Sequence, residues 1–304
     1  MMRNTTVQKL TSILVVIDRT DETRLVVAKS MILARHFGAR LELFLCDSEQ
    51  AYALRHSYDA RGIASARQAY LAEGHRYLDA LRRSLAEDVA ISVHVACESP
   101  LYEAIVHRVQ EAQPDLVIKR AAGNYSTRRF ALDANDWQLA RTCPVPLVLT
   151  HGLPWSAQPC FAAAVDMSDR DDNGLACTIV HAASYLALGC RAQLEVMYSD
   201  RAAGDAKAHD ARTEDLRRLV DEFHVDDKRL HVLQGEAEDT LPAFVTRRHF
   251  DVLVLGALTR RRGRAALVGT LTSRLLEALE CDVVLVKPDS YLCPVPEAVR
   301  AVAG

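Results

Sequence analysis

The feature that most limits the folds open to this chain is a repeated order of short apolar runs and longer amphipathic stretches. Apolar runs bounded by polar residues or glycine alternate with segments whose apolar residues recur at helical spacing. This alternation predicts parallel strands joined by helices through right-handed crossovers. The strands predicted in the first half are ILVVID (13–18), LELFLC (41–46), ISVHVA (91–96), DLVIK (115–119) and PLVLT (146–150).

Helices are predicted between these strands. The first should bury a face formed by Leu25, Ala28, Ile32 and Leu33 and end at Gly38, because glycine readily adopts the left-handed conformation of a helix C-terminal cap. Further helices of the first half are predicted over about 60–86, 100–112 and 133–142.

The same order then returns. After HGLPWSAQP, which is typical of a linker, the predicted elements are CFAAAV, a helix ending near Gly189, QLEVMY, a charged helix over about 205–224, RLHVLQG, a helix, DVLVL and DVVLVKP. Matching landmarks are Asp18 with Asp166, Gly38 with Gly189, Asp115 with Asp251, and Cys143 with Cys281. We therefore predict a duplication: two tandem doubly wound parallel-sheet α/β domains over 1–150 and 151–304, with any ligand at the carboxyl ends of the second set of strands.

Composition narrows the class of protein. Hydrophobic residues make up 49% and charged residues 25% of the chain, no apolar run is long enough to span a membrane, and the N-terminus lacks a secretory signal, so we expect a cytoplasmic protein without a membrane partner. A net charge of -3 gives no pull toward nucleic acid. Eight cysteines without a CxxC pair indicate reduced, buried thiols.

One loop has the composition of an anion site. LGALTRRRGRAALVGT (255–270) follows a predicted strand and precedes a helix, where backbone amides and the helix dipole favour phosphate. Gly256 and Gly269 would leave room for the ligand, Thr270 and Thr272 could donate hydroxyl hydrogen bonds, and the arginines at 260–262 and 264 could add charge. The loop has no Walker lysine, so a P-loop hydrolase is not indicated.

The repeated unit resembles the universal stress protein family, whose loop reads G-x2-G-x9-G-[ST]. Here Gly256, Thr259, Gly269 and Thr270 keep the spacing, but Thr259 stands in place of the second glycine. The tandem, two-domain E-type is the nearer resemblance, carried by the domain order, the DW pair at 136–137 and the tail LVKPDSYLCPVP.

The resemblance implies a fold, a ligand and a set of contacts. It implies a Rossmann-like, intrachain pseudo-dimer in the stress response that binds ATP or another adenine nucleotide in its second domain, with Mg²⁺ as an accompanying ion and at most slow ATP hydrolysis. A homodimer of the chain stays open. The implied nucleotide-binding residues are Val165, Asp166, Met167, Met197, Gly256, Thr259, Gly269, Thr270, Leu271 and Thr272.

The first half is predicted to lack a working site. Its corresponding segment places Lys119 and Arg120 near the first glycine position and Asp133 where phosphate would lie, and a carboxylate there repels phosphate. Alternatives for the second half are a solvated basic loop, a cleft for an apolar or lipid-like metabolite, and a protein-interaction scaffold. The carboxylates of DMSDRDDNG (166–174) are interpreted as helix caps rather than a cation site. No motif assigns a metal ligand or a catalytic residue.

Overall fold

The computed structural model describes residues 9–55, 60–121, 132–167, 174–200, 206–223, 225–259, 267–268 and 270–297. The first half contains β1 (Ser12–Ile17), α1 (Thr23–Phe37), β2 (Arg40–Cys46), α2 (Ser48–Arg55), α3 (Ala60–Arg83), β3 (Ile91–Ala96), α4 (Leu101–Ala112), β4 (Leu116–Arg120), α5 (Ala134–Thr142) and β5 (Leu147–Thr150). The second half contains β6 (Cys160–Val165), α6 (Leu175–Gly189), β7 (Gln193–Asp200), α7 (Ala206–Asp221), a 3₁₀ helix (Asp227–Arg229), β8 (Leu230–Gln234), α8 (Ala237–Arg248), β9 (Val252–Gly256), β10 (Leu258–Thr259), β11 (Leu267–Val268), α9 (Thr270–Ala278) and β12 (Asp282–Val286).

The two halves form one ten-stranded sheet with the order β3-β2-β1-β4-β5-β12-β9-β6-β7-β8. Each half is a doubly wound parallel sheet, and β5 and β12 join the halves as an antiparallel pair centred on Val148 opposite Val284. The predicted fold is therefore confirmed. Among the described residues, no helix is long and apolar enough to cross a membrane.

Both faces of the sheet are buried beneath helices. Successive residues of a strand point to opposite faces, so Ile13 and Val15 of β1 enter one hydrophobic core while Leu14 and Val16 enter the other. In β6 of the second half, Phe161 belongs to the first of these cores and its neighbour Ala162 to the second. Each core therefore contains side chains of both halves.

Two aspartates show why the duplicated order has structural meaning. Asp115 precedes β4, and its carboxylate accepts hydrogen bonds from the backbone amides of Thr11 and Ser12 at the start of β1, at 2.8 and 3.0 Å. Asp251 precedes β9 and accepts from the backbone amide of Cys160 at the start of β6, at 2.9 Å. Equivalent aspartates thus bind the start of the first strand in each half.

The predicted buried face of α1 is confirmed only at Leu33. Gly38 is the C-terminal cap with φ of 64°, as predicted, but Ala28 is exposed and Leu25 and Ile32 are only partly buried. The buried set includes Lys29, which an apolar pattern cannot identify. The face is displaced because α1 packs against α6 of the other half as well as against the sheet.

Gly189 ends α6 as predicted, although not for the reason that Gly38 ends α1. The left-handed residue after α6 is Arg191, whereas Gly189 lies against the ring of Phe37 from the first half. A Cβ at Gly189 would lie 2.0 Å from a Phe37 ring atom, and the ring is also stacked on Tyr185 at 5.0 Å. Glycine is required there by the close approach of the two halves.

A buried ion pair links the halves at the sheet junction. Lys29 Nζ of α1 lies 2.7 Å from a carboxylate oxygen of Asp282, the first residue of β12, and both side chains are almost fully buried. The backbone amide of His151 and the indole of Trp155 donate to the same carboxylate, at 2.6 and 2.7 Å. Lys29 also donates to the His151 carbonyl at 2.8 Å, so helix, linker and strand meet at one carboxylate.

Breaking this pair should destabilise the whole chain. We expect Lys29→Met to lower the free energy of unfolding by about 3 kcal/mol, because it leaves a buried carboxylate without its cation. The exposed pair Arg35–Asp88 supplies the control, and Asp88→Asn should cost less than about 1 kcal/mol. Urea unfolding followed by tryptophan fluorescence measures both, and equal costs would contradict the role assigned to the Lys29–Asp282 pair.

The segment after β12, residues 287–297, crosses onto the first half, and we call it the C-terminal strap. Tyr291 donates its hydroxyl to the Arg141 carbonyl at 2.6 Å, and Gln110 donates to the Val295 carbonyl at 3.0 Å. Lys287 is buried and donates to the Cys143 carbonyl at 2.7 Å. Burial lowers the pKa of Lys287 from 10.5 to about 8.

The buried Lys287 should give the stability a distinct pH dependence. Between about pH 8 and 10.5 the unfolded chain keeps the lysine proton that the folded chain has released. The free energy of unfolding therefore rises with pH over this range, because the buried lysine no longer has to carry its charge. We expect the stability of wild type relative to Lys287→Met to rise by about 2 kcal/mol from pH 7 to pH 9.5. Urea unfolding at both pH values measures it. A difference that does not change with pH would show that the lysine titrates normally in the fold.

Candidate functional site

The strand register identifies which residues of the two halves are equivalent at the carboxyl ends of the sheets. Arg120 ends β4 and lies beside Thr150 of β5, and Gly256 ends β9 and lies beside Val286 of β12. Both neighbours stand two residues beyond the central pair of the β5–β12 junction. Arg120 and Gly256 are therefore equivalent positions, occupied by an arginine in one half and by a glycine in the other.

In the first half, Arg120 closes the position with an ion pair. Its guanidinium binds the carboxylate of Asp18, the residue that follows β1, and the hydroxyl of Thr20 donates to the same carboxylate at 3.0 Å. A ligand that needed Asp18 would have to displace this internal cation. The degenerate first site stays a prediction, to which this ion pair is relevant.

The anion end of the first half is also occupied by its own side chains. Asp133 caps α5 by accepting from the backbone amide of Asp136 at 2.7 Å, in a reciprocal capping box. The fully buried Asp136 is paired with Lys119 at 2.7 Å. The carboxylate of Asp133 stands at the helix N-terminus where a phosphate would otherwise be favoured.

Three of the nucleotide-binding residues predicted for the second half lie at the end of β6. Val165 is buried as the last residue of the strand, Asp166 follows it and is exposed, and Met167 is partly buried against the core. Met197 of β7 is fully buried within the core, so its side chain is not open to a ligand in this structure. The sequence pattern did not indicate this burial, because Met197 shares its face of β7 with Gln193, Glu195 and Ser199.

Gly256 and Thr272 meet at the end of β9. The Thr272 hydroxyl donates to the Gly256 carbonyl at 3.1 Å, and Thr272 is buried. A Cβ on Gly256 would lie 2.8 Å from Leu175 Cδ2, so the glycine also allows α6 to approach β9. Both residues hence have structural roles in addition to the ligand contacts predicted for them.

The loop after β9 is bounded on both sides by the two short strands of a hairpin. Leu258 and Thr259 of β10 pair antiparallel with Val268 and Leu267 of β11, and β11 contacts α5 of the first half. Thr259 is a strand residue and is not among the described non-glycine residues with positive φ.

The rest of the predicted loop is described only in part. Thr270 and Leu271 begin α9, for which the structure describes the backbone at these positions. Gly269 and the arginines at 260–262 and 264 lie outside the described residues.

The predicted caps of α6 stay a prediction. The helix begins at Leu175, and its N-cap residue is Gly174 with φ of 68°, which has no side chain. Asp166 follows the end of β6, and the other predicted capping carboxylates, within 168–173, lie outside the described residues. Within the described chain, no group of three or more His, Cys, Asp or Glu side chains could hold a metal ion.

Sequence reasoning missed a second carboxylate at the same edge of the sheet. β7 continues two residues past the predicted QLEVMY to the buried Asp200, which pairs with Arg212 of α7. Its neighbour Ser199 donates to the Gly235 carbonyl at 2.7 Å. The signal was an aspartate at a strand end, the same signal that identified Asp166. Through this pair Asp200 binds α7 to the carboxyl end of β7.

The structural role of Thr272 can be measured without any ligand. Thr272→Val should lower the free energy of unfolding by about 1 kcal/mol, because the Gly256 carbonyl loses a donor. Thr178→Val is the matched control: Thr178 is equally buried, but its acceptor, the Gly174 carbonyl, already receives the backbone amide of Thr178. We expect a smaller loss for the control in urea unfolding, and equal losses would argue against a specific Thr272–Gly256 bond.

Comparison with known proteins gives consistent matches along the chain. The model of the Universal stress protein family matches residues 9–151 and 156–287. Universal stress protein E of Photorhabdus laumondii is 23% identical over 314 residues, covering 94% of this chain and 98% of that protein. Universal stress protein E of Escherichia coli (strain K12) is 24% identical over 309 residues, covering 93% and 96%.

Two solved structures share the fold. A functionally unknown protein from Pseudomonas aeruginosa has a TM-score of 0.73 at 24% identity and covers 93% of this chain and 94% of its own. A universal stress protein from Archaeoglobus fulgidus has a TM-score of 0.68 at 12% identity, covering 91% and 98%. Both likenesses extend over the two halves rather than over a single unit.

Proposed function

This chain belongs to the universal stress protein family as a tandem member similar to the E type, and from that premise we propose that its second domain binds ATP or another adenine nucleotide. The first domain would serve as a scaffold that binds none. We further propose a cytoplasmic role in the stress response and a domain boundary at residues 150 and 151, between β5 and the linker.

The observation that carries this proposal is the exchange of Arg120 for Gly256 at equivalent positions. Arg120 neutralises Asp18 and fills the end of the first sheet. In the second domain the equivalent residue is Gly256, which has no side chain, and the corresponding Asp166 is exposed. A nucleoside could therefore reach this carboxylate through its hydroxyl groups, and a carboxylate is a suitable acceptor for them.

The loop that follows supports the phosphate end of the proposal. It leads from β9 into α9, and the N-terminus of that helix offers backbone amides and a positive dipole end. In the first domain the equivalent helix, α5, is capped by Asp133. At both the strand end and the helix N-terminus, the first domain therefore has a charged side chain where the nucleotide would bind.

Exchanging the two equivalent residues tests the proposal. Isothermal titration calorimetry with ATP and Mg²⁺ should give one nucleotide per chain for wild type. Gly256→Arg should lower the affinity about tenfold or more, because the new side chain would occupy the end of β9 as Arg120 occupies the end of β4. Arg120→Gly should still bind one nucleotide per chain, since it leaves the second domain unchanged and Asp133 still caps α5.

Two results would count against nucleotide binding in the second domain. One is the absence of heat with ATP, ADP and AMP from a preparation whose unfolding is cooperative. The other is full affinity in Gly256→Arg together with loss in Arg120→Gly, which would move the site to the first domain. Either result would favour the scaffold role for the second domain.

A further inference from the structure

A cysteine of the C-terminal strap lies beside the end of α5, where a second cysteine caps the helix. Cys143 caps the end of α5 and is fully buried, and Cys293 lies in the strap and is partly buried. The Cys293 thiol donates to the Thr142 carbonyl at 3.2 Å. That carbonyl belongs to the peptide group that joins Thr142 to Cys143, so the Cys293 thiol lies next to the backbone of Cys143.

A buried cation lies near this pair of residues. Lys287 Nζ lies 2.7 Å from the carbonyl oxygen of Cys143 and 5.1 Å from the ring centre of Tyr291. Burial raises the pKa of Cys143 and of Cys293, and the charge of Lys287 opposes that rise at each thiol. The lysine thus keeps a larger fraction of thiolate, the form that reacts with oxidants, than burial alone would leave.

The strap holds Cys293 so that it faces the first domain. Tyr291, Cys293 and Val295 pack against the core, while Leu292 between them is 71% exposed. This alternation is that of an extended segment lying on a surface, with every second side chain turned inward. Cys293 itself is only partly buried, whereas Cys143 is fully buried.

We propose that Cys143 and Cys293 form a reversible disulfide when the protein meets a peroxide, fastening the end of the second domain to the first. In the first step, peroxide oxidises the Cys293 thiolate to sulfenic acid and is itself reduced to water. The Cys143 thiol then attacks that sulfur, forming the S–S bond and releasing a second water. Two thiols thus lose two electrons and two protons to one hydrogen peroxide, and a thiol reductant reverses the change.

Oxidation of the intact chain tests the proposal. Treatment with hydrogen peroxide should remove two thiols per chain and yield a linked peptide containing Cys143 and Cys293 in non-reducing peptide mapping. Because the bond joins residues far apart in sequence, we expect Tm to rise by about 5 °C or more and to return after dithiothreitol.

Two single variants separate this pair from the other thiols. Cys293→Ser should leave Tm of the reduced protein nearly unchanged and abolish both the linked peptide and the rise in Tm. Cys177→Ser is the matched control, since Cys177 is exposed on α6, and it should retain both. A disulfide between other cysteines, a linked peptide without any rise in Tm, or a Tm rise that persists in Cys293→Ser would overturn the proposal.

Discussion

The antiparallel pairing of β5 with β12 determines the arrangement of everything else in the molecule. It makes the strands of the two domains run in opposite directions, so the carboxyl ends of the first set and of the second set lie at opposite edges of one sheet. It also explains why a short linker suffices. β6 begins at the edge where β5 ends, three strand positions away, or about 14 Å.

The linker is fixed to each strand that it passes. His151 and Trp155 donate to Asp282 at the start of β12, and Ser156 donates to Asp251 just before β9. The C-terminal strap follows the corresponding course over the first domain. Each domain therefore secures the other with the segment that follows its own last strand, and burial at the junction depends on both segments being in place.

Much of the fold was predictable because strand period and turn residues are local properties. The predicted strands, the cap at Gly38 and the order of the duplication correspond to observed elements. The interior of the junction was not predictable. Lys29 reads as a surface residue and Gly189 as a helix cap until the opposite domain supplies Asp282 and Phe37.

The candidate site follows the same division. Asp166 and Gly256 were identified from strand ends and glycine spacing, which the sequence displays directly. The burial of Met197 and the pairing of Asp200 with Arg212 depend on how far β7 extends and on which helix covers it. The sequence places both Lys119 and Arg120 near the first glycine position, and only the strand register identifies Arg120 as the residue equivalent to Gly256.

The hairpin of β10 and β11 gives the second domain's loop a neighbour outside its own domain. Because β11 contacts α5, the hairpin that bounds this loop lies against a helix of the first domain. A second domain separated from the first would keep the whole sequence of this loop but lose the contact of β11 with α5. The two copies have thus diverged into unequal partners, of which the first provides part of the surroundings of the second.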